Sequence, residues 1–313
     1  MMESLLQTLL NGAATGGVYA LVALGYTLVF SVLGVINFAQ GALFSLGGYA
    51  TYLLMGGRIG VNGAWPGLGL PVALPFALAL LLAALLTALA SLLVERVAFA
   101  PLRRRGAEPL QSLITSLGAG VVLVNLLQIL MGAEGYAFPD GAGALAGLPD
   151  MVVLGGARIR TIQLLLLAIC TGAVLLLSLW LERSRGGKAL RAVAEDFTTA
   201  RLLGIDSDAM VRLAFALSGV LAGLGGGLVG LSVSLTGPYF GISYGLKGLA
   251  VLVLGGLGSV PGAIAGGLLM GLAEALVPAD ASGWRDALAF AILFGVLLLR
   301  PGGLLGRVQV DKV

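Results

Sequence analysis

Four uncharged amide side chains lie within the long apolar runs of this sequence, where they could contact a polar molecule. Asn37 and Gln40 lie three residues apart, and so do Asn125 and Gln128, so each pair would share one face of a helix. Amides donate and accept hydrogen bonds without carrying a charge, which suits the weak contacts of a pathway. The same groups could instead bond neighbouring helices, at about 0.6 kcal/mol per bond.

Other residue types limit what chemistry the chain can perform. It has no histidine and a single cysteine, Cys170, which exclude a Ser-His triad, a His-ligated metal site, a thiolate metal site and an internal disulfide. No Lys-Ser or Lys-Thr pair follows a glycine-rich loop, and Lys188 is followed by alanine, so the chain cannot cradle ATP. The sequence therefore predicts no enzyme and no cofactor, and energy must come from another subunit.

Buried charge is also scarce. Only Glu274 falls well inside an apolar segment, and a proton or sodium relay normally needs several buried ionisable groups. This argues against a carrier driven by its own ion gradient. Glu274 and Lys247 are predicted to lie near the outer ends of their helices, where they snorkel or cap.

Residues 182–212 differ from the rest of the chain, because they hold six basic and five acidic side chains. Four apolar residues in this segment recur at three- and four-residue steps and form one stripe: Leu190, Val193, Phe197 and Ala200. Arg191 and Glu195 lie on another face, and Gly204 is predicted to end the helix. Such a helix either rests among anionic lipids or docks its stripe into the groove of a partner.

The composition requires a membrane environment for these residues. The 313 residues are 58% hydrophobic and 11% charged, with a mean hydropathy of +1.04, and no charge lies between Glu3 and Arg58. Nine apolar segments follow one another: 5–33, 36–55, 68–95, 110–131, 161–181, 211–235, 244–258, 262–277 and 284–300. We predict an all-α polytopic membrane protein, one domain over 1–313, with about 8–9 transmembrane helices. A short or broken hairpin is expected near 244–277.

The basic residues predict the orientation of the chain, and the glycines predict how its helices pack. An N-out, C-in chain places all basic residues on the cytoplasmic side except Arg58, Arg158, Arg160, Lys247 and Arg285. The net charge of +3 reflects this bias and does not indicate nucleic-acid binding. Glycines spaced four apart, such as Gly12/Gly16, Gly219/Gly223 and Gly267/Gly271, predict closely packed helices.

Four blocks of the sequence together carry a resemblance. They are INFAQGALFSLGGY, GKALRAVAEDFTTARLLGID, LKGLAVLVLGGLGSVPGAIAGGLLMGLAE and RPGGLLG, in this order. The chain resembles the permease subunits of bacterial branched-chain amino acid ABC importers from about Leu9 to Gly306. The resemblance implies a multi-pass inner-membrane permease with a cytoplasmic C-terminus. Its implied partners are a sister permease, two cytoplasmic ATP-binding subunits, a periplasmic or extracytoplasmic substrate-binding protein and membrane lipid.

The resemblance also implies a role for the charged segment, as a cytoplasmic coupling loop over about 182–210 that docks into the ATPase. Such loops often carry Glu-Ala-Ala, three residues, then Gly. Ala200 and Gly204 match the second half of that pattern, whereas Thr198 and Thr199 replace the Glu and first Ala. The implied coupling residues are Lys188, Arg191, Val193, Glu195, Phe197, Ala200, Arg201 and Gly204.

Two alternatives to a branched-chain amino acid permease stay open. Permeases for urea and short amides are similar in sequence to this family, and the binding protein usually sets affinity. A self-contained channel or secondary carrier would transport without an ATPase.

Overall fold

The computed structural model describes residues 2–71, 73–138, 151–154, 157–278, 281 and 283–306. The described elements are α1 (Met2–Leu33), α2 (Gln40–Leu54), α3 (Phe76–Val94), α4 (Ala100–Arg104), α5 (Pro109–Met131), β1 (Met151–Leu154), β2 (Ala157–Arg160), α6 (Thr161–Arg183), α7 (Arg185–Glu195), α8 (Phe197–Leu202), α9 (Ser207–Val233), α10 (Phe240–Gly255), α11 (Val260–Ala275) and α12 (Trp284–Leu299). A π-helical turn, Glu95–Phe99, joins α3 to α4.

Each of the nine predicted apolar segments contains a helix, but the helices differ in length. Among the described residues, α1, α3 with α4, α5, α6 and α9 are long and apolar enough to cross a membrane, which makes five spans. Helices α2, α10, α11 and α12 have 15 or 16 residues, or about 22–24 Å, against a bilayer core of about 30 Å. The count of 8–9 spans is therefore not confirmed.

The predicted broken hairpin is confirmed. Helices α10 and α11 meet at a bend of 120°, and together they are long and apolar enough to form one broken span. A small β-hairpin was not predicted: β1 pairs antiparallel with β2, with Met151 opposite Arg160, in the connection before α6. The other described elements are helices, as expected.

Two triplets of helices, α1–α3 and α9–α11, repeat one arrangement. Each has a long helix, a six-residue connection (34–39 or 234–239), a short helix and a third helix. Both short helices follow a residue in the αR conformation that makes no side-chain cap. Helix α1 packs on α10 and α11, while α9 packs on α2 and α3, and α1 also contacts α9. These pairings are those of a pseudo-two-fold relation between the triplets.

The short helices α2 and α10 cross each other at their first turns. A Cβ at Gly41 would lie 2.9 Å from the Gly241 carbonyl oxygen, and one at Gly245 would lie 2.9 Å from the Gly41 Cα. Ser45 Oγ donates to the Pro238 carbonyl (2.7 Å) and accepts from the Gly241 amide (3.0 Å). Short helices in corresponding positions of two repeats are typical of the central region of transporters.

The predicted glycine packing is confirmed at the largest helix contacts. Where α1 crosses α11, a Cβ at Gly16 would lie 2.8 Å from the Gly267 carbonyl oxygen. Where α9 crosses α3, Cβ atoms at Gly219 and Gly223 would each lie 2.7 Å from a backbone Cα. Larger side chains would separate these helices, because only van der Waals contact and hydrogen bonds hold helices together in lipid.

Contacts between connections define two ends of the bundle. At one end, the Tyr136 hydroxyl accepts from the Gly60 amide (2.8 Å), Tyr136 bridges Leu235, and Asn62 Nδ2 donates to Glu134 (2.6 Å). The other end, with α4, α7, α8 and the start of α9, carries the arginine clusters. The ends thus separate the connections as the basic residues predict.

Candidate functional site

The charged segment begins with a sharp turn between α6 and α7. Ser184 caps α7, because its Oγ accepts from the Gly187 amide at 2.8 Å. A Cβ at Gly187 would lie 2.5 Å from the Trp180 carbonyl oxygen and from the Leu181 Cα. Only glycine allows α7 to fold back so closely on α6, so α7 is held directly to a membrane helix.

The apolar stripe of the segment faces inward, and the prediction that it meets a partner is corrected. Leu190, Val193 and Ala200 are 2%, 1% and 2% exposed, and Phe197 is half-buried against the same core. Helix α7 packs on α1, α6 and α9 of its own chain. A stripe of this periodicity buries itself against whichever apolar surface is nearest, and here that surface is intramolecular.

The segment is also two helices instead of one, because the chain leaves helical geometry at Asp196. Asp196 caps α8 by accepting from the amides of Thr198 (2.8 Å) and Thr199 (2.9 Å) and from the Thr199 hydroxyl (2.7 Å). These bonds, led by that of the Thr199 amide, lower the pKa of the Asp196 carboxyl. The cap therefore stabilises the folded chain above the ordinary pKa of a carboxyl group, and this stabilisation is lost as the pH falls through the lowered pKa of Asp196.

The outward face carries the remaining predicted coupling residues. Lys188, Arg191, Glu195, Arg201 and Gly204 are exposed, and Gly204 ends the segment with a φ of +86°, as predicted.

Two leucines were missed as candidates. Leu202 and Leu203 are 83% and 76% exposed at the end of α8. Their only signal in the sequence is their place between Ala200 and Gly204, inside the loop pattern. Two adjacent exposed leucines form a small apolar patch that a partner can cover.

A salt-bridge cluster ties α4 to the beginning of α9, where the charged segment ends. Arg103 Nη2 lies 3.0 Å from Glu95 Oε1 and 2.9 Å from Asp208 Oδ1. Glu95 is buried in the π-helical turn, so the arginine supplies the charge that this carboxylate requires. Arg103 therefore links the beginning of α9 to the π-helical turn that follows α3.

The first amide pair lies in the protein interior. Gln40 donates to the Ser218 carbonyl (3.2 Å) and accepts from the Ser218 hydroxyl (2.8 Å), which joins α2 to α9. Asn37 precedes α2, so the two residues do not share a helix face as predicted. Asn37 Oδ1 accepts from the Ala39 amide (3.1 Å), and its Nδ2 has no partner among the described residues. Gln40 fits an interhelical bond, whereas Asn37 keeps one free donor.

The second amide pair lies toward the surface of the bundle. Asn125 is exposed, Gln128 is half-buried, and both belong to α5 as predicted. The Tyr239 hydroxyl donates to Asn125 Oδ1 at 3.4 Å from the connection before α10. Asn125 Nδ2 donates to the Val121 carbonyl (2.8 Å). This pair therefore has polar groups that a neighbouring molecule can reach.

Lys247 and Glu274 form a buried cluster, which corrects the prediction that they snorkel or cap. Lys247 Nζ lies 3.0 Å from Glu274 Oε1 and 2.8 Å from Asp286 Oδ1. The Tyr19 hydroxyl donates to Glu274 Oε2 (2.6 Å) and lies 3.2 Å from Lys247 Nζ. The side chain of Glu274 is 7% exposed and that of Lys247 15%. The cluster joins α1, α10, α11 and α12, and its Asp286 end is exposed.

Comparison with known proteins gives one consistent result. The family model described as "Branched-chain amino acid transport system / permease component" matches residues 8–297. The chain is 36% identical over 314 residues to the high-affinity branched-chain amino acid transport system permease protein LivH of Salmonella typhimurium and of Escherichia coli K12, covering 98% of this chain and 97% of each relative. It is also 36% identical over 317 residues to BraD of Pseudomonas aeruginosa, covering 98% of both chains. No solved structure matches.

Proposed function

Because the chain belongs to the branched-chain amino acid transport system permease family, we propose that it forms part of the membrane pathway for branched-chain amino acids in an ABC importer. The match over residues 8–297 carries this proposal. The crossing of α2 and α10 at their first turns supports it, because transporters place their pathways beside such short helices. The chain lacks an ATP site of its own, so two ATP-binding subunits and a substrate-binding protein complete the importer.

Reconstituted transport tests this function. The permease, co-purified with its sister permease and ATPases in proteoliposomes, should take up leucine only with the binding protein on one side and ATP on the other. An ATPase without its catalytic carboxylate is the control and should abolish uptake. Uptake by the permease alone would support a channel or carrier, and accumulation of urea in place of leucine would support the amide alternative.

The exposed face of α5 is proposed to meet the sister permease and border the pathway. Beside exposed apolar residues such as Ile114 and Val122, the surface of α5 carries polar or small groups at three-, four- and seven-residue steps: Gln111, Thr115, Gly118 and Asn125. By contrast, the exposed positions of α3 from Leu78 to Leu93 are leucines. Polar groups within membrane helices face protein or water instead of lipid. Asn125 and Gln128 are thus the stronger pathway candidates. Asn37 and Gln40 are buried, so they are the weaker candidates for contact with substrate.

The coupling role of the segment over about 182–210 is retained with a revised contact surface. Val193, Phe197 and Ala200 hold the segment to the membrane helices. The exposed Lys188, Arg191, Glu195, Arg201, Leu202, Leu203 and Gly204 then face the ATPase. Because Gly187 and Arg103 link the segment to α6, α4 and α9, it can act as a rigid lever.

Placement in a bacterial inner membrane, with the C-terminus and α7–α8 on the cytoplasmic side, can be tested by cysteine labelling. In a Cys170→Ala background, Ala133→Cys should react with an impermeant maleimide in intact cells, because it follows α5 at the outer end. Arg104→Cys should react only after permeabilisation. Labelling of position 104 in intact cells, with position 133 silent, would reverse the orientation.

A further inference from the structure

Two adjoining clefts open beside the π-helical turn, at the end of the bundle that carries α4. The larger has a volume of about 500 Å³ and the smaller about 390 Å³. Five arginines line them: Arg96, Arg103, Arg104, Arg105 and Arg212. Arg96 and Arg104 belong to both clefts, so the two form one continuous basic surface, here called the arginine cleft.

The acidic residues of the arginine cleft do not neutralise it. Glu95 and Asp208 both pair with Arg103, and Arg212 has only a 3.9 Å contact with Asp206. Within the described part of the chain, no ion pair involves Arg96, Arg104 or Arg105, and Arg103 Nη1 is buried with no acceptor. Guanidinium groups without a carboxylate partner are available to pair with the oxygens of a phosphate.

An apolar stripe on α3 and the π-helical turn leads into the arginine cleft. Its members recur every four residues and are each at least 58% exposed: Leu81, Leu85, Leu89, Leu93 and Val97. Arg96 is adjacent to Val97, and Leu92 lines the cleft. A continuous apolar surface of about 24 Å that ends in arginines has the polarity of a phospholipid, with a hydrocarbon chain at one end and a phosphate at the other.

We infer that the arginine cleft binds an anionic phospholipid, with the phosphate on Arg96 and Arg104 and an acyl chain along the Leu81–Val97 stripe. A free phosphate would use the arginines alone and would have no need of the stripe. None of the exposed coupling residues of α7–α8 and none of the polar positions of α5 lines the arginine cleft, so the site does not depend on the proposed substrate. A lipid there would brace the π-helical turn, to which Arg103 ties α9.

Native mass spectrometry of the full chain, purified with its bound subunits, tests this inference. Phosphatidylglycerol is titrated into wild-type permease and into the Arg96→Gln/Arg104→Gln variant. Because each arginine near an anionic lipid contributes about one factor of five in affinity, we expect binding to be about 30-fold weaker in the variant. Phosphatidylcholine should bind the wild type weakly, and glycerol 3-phosphate should not compete at equal concentration.

The Arg183→Gln/Arg185→Gln variant is the matched control. Both arginines are exposed at the same end of the bundle, outside the cleft, and the variant removes the same charge. If this variant lost phosphatidylglycerol binding to the same extent, the binding would depend only on the overall positive charge, and the proposed site would be wrong. Competition by glycerol 3-phosphate would make the ligand a soluble phosphate. If the Arg96→Gln/Arg104→Gln variant lost the ATPase but bound phosphatidylglycerol as the wild type does, the cleft would be a contact for a protein and not for a lipid.

Discussion

Replacing Leu202 and Leu203 by aspartate is expected to abolish capture of the ATP-binding subunit while the permease inserts and folds normally. Both side chains are more than three-quarters exposed, so the change leaves the chain's own core intact. In the assembled importer it would place two unpaired charges in a buried contact. Such a charge typically costs about 3–5 kcal/mol, or more than 100-fold in affinity.

The measurement is a pull-down of the ATPase with tagged permease of equal abundance, followed by uptake. Val193→Asp is the informative comparison, because its side chain is 1% exposed within the permease. It should lower the abundance or stability of the permease itself. Arg201→Ala, at the exposed edge, should weaken capture less and make it more sensitive to salt. Full retention of the ATPase by the Leu202/Leu203 variant would remove this surface from the coupling contact.

The sequence of the charged segment predicts that one face is buried, but it does not predict against what. The apolar period of Leu190, Val193, Phe197 and Ala200 indicates that one face is buried, but a stripe that packs on its own chain has the same period as one that packs on a partner. The turn at Gly187 folds α7 back on its own chain, and this contact depends on where α6 lies in the fold. The end at Gly204 was predictable because a positive φ is a local property.

Elsewhere, predictability follows the same division between local and long-range causes. Apolar runs indicate where helices lie, and glycines four apart indicate close packing, since both are properties of one helix. The number of spans was not accessible, because an apolar run of 15–20 residues does not show whether its helix crosses the bilayer alone, and the crossing of α2 with α10 rests on contacts about 200 residues apart. The cluster around Lys247 was missed for the same reason: along the sequence, its members are isolated charges on different helices.

The Lys247 cluster should stabilise the contact of α1, α10, α11 and α12, and Lys247→Met should be its most damaging single change. It leaves Glu274, whose side chain is 7% exposed, without a cation. Removing one partner of a buried pair typically costs about 3–5 kcal/mol. Glu274→Gln should cost less, because Lys247 keeps Asp286 at 2.8 Å. Asp286→Asn should cost about 0–1 kcal/mol, since that carboxylate is 68% exposed.

The stability of each purified variant is measured in a mild detergent, by unfolding it with increasing amounts of a denaturing detergent. The double variant Lys247→Met/Glu274→Gln is the decisive comparison, because it removes both buried charges while Tyr19 can still donate to the residue at 274. Replacing a buried ion pair by neutral groups is often neutral or stabilising, so the double variant should recover most of the stability lost in Lys247→Met. Additive losses in the double variant, or a cost at Asp286 equal to that at Lys247, would mean that these charges are solvated separately, as surface residues are.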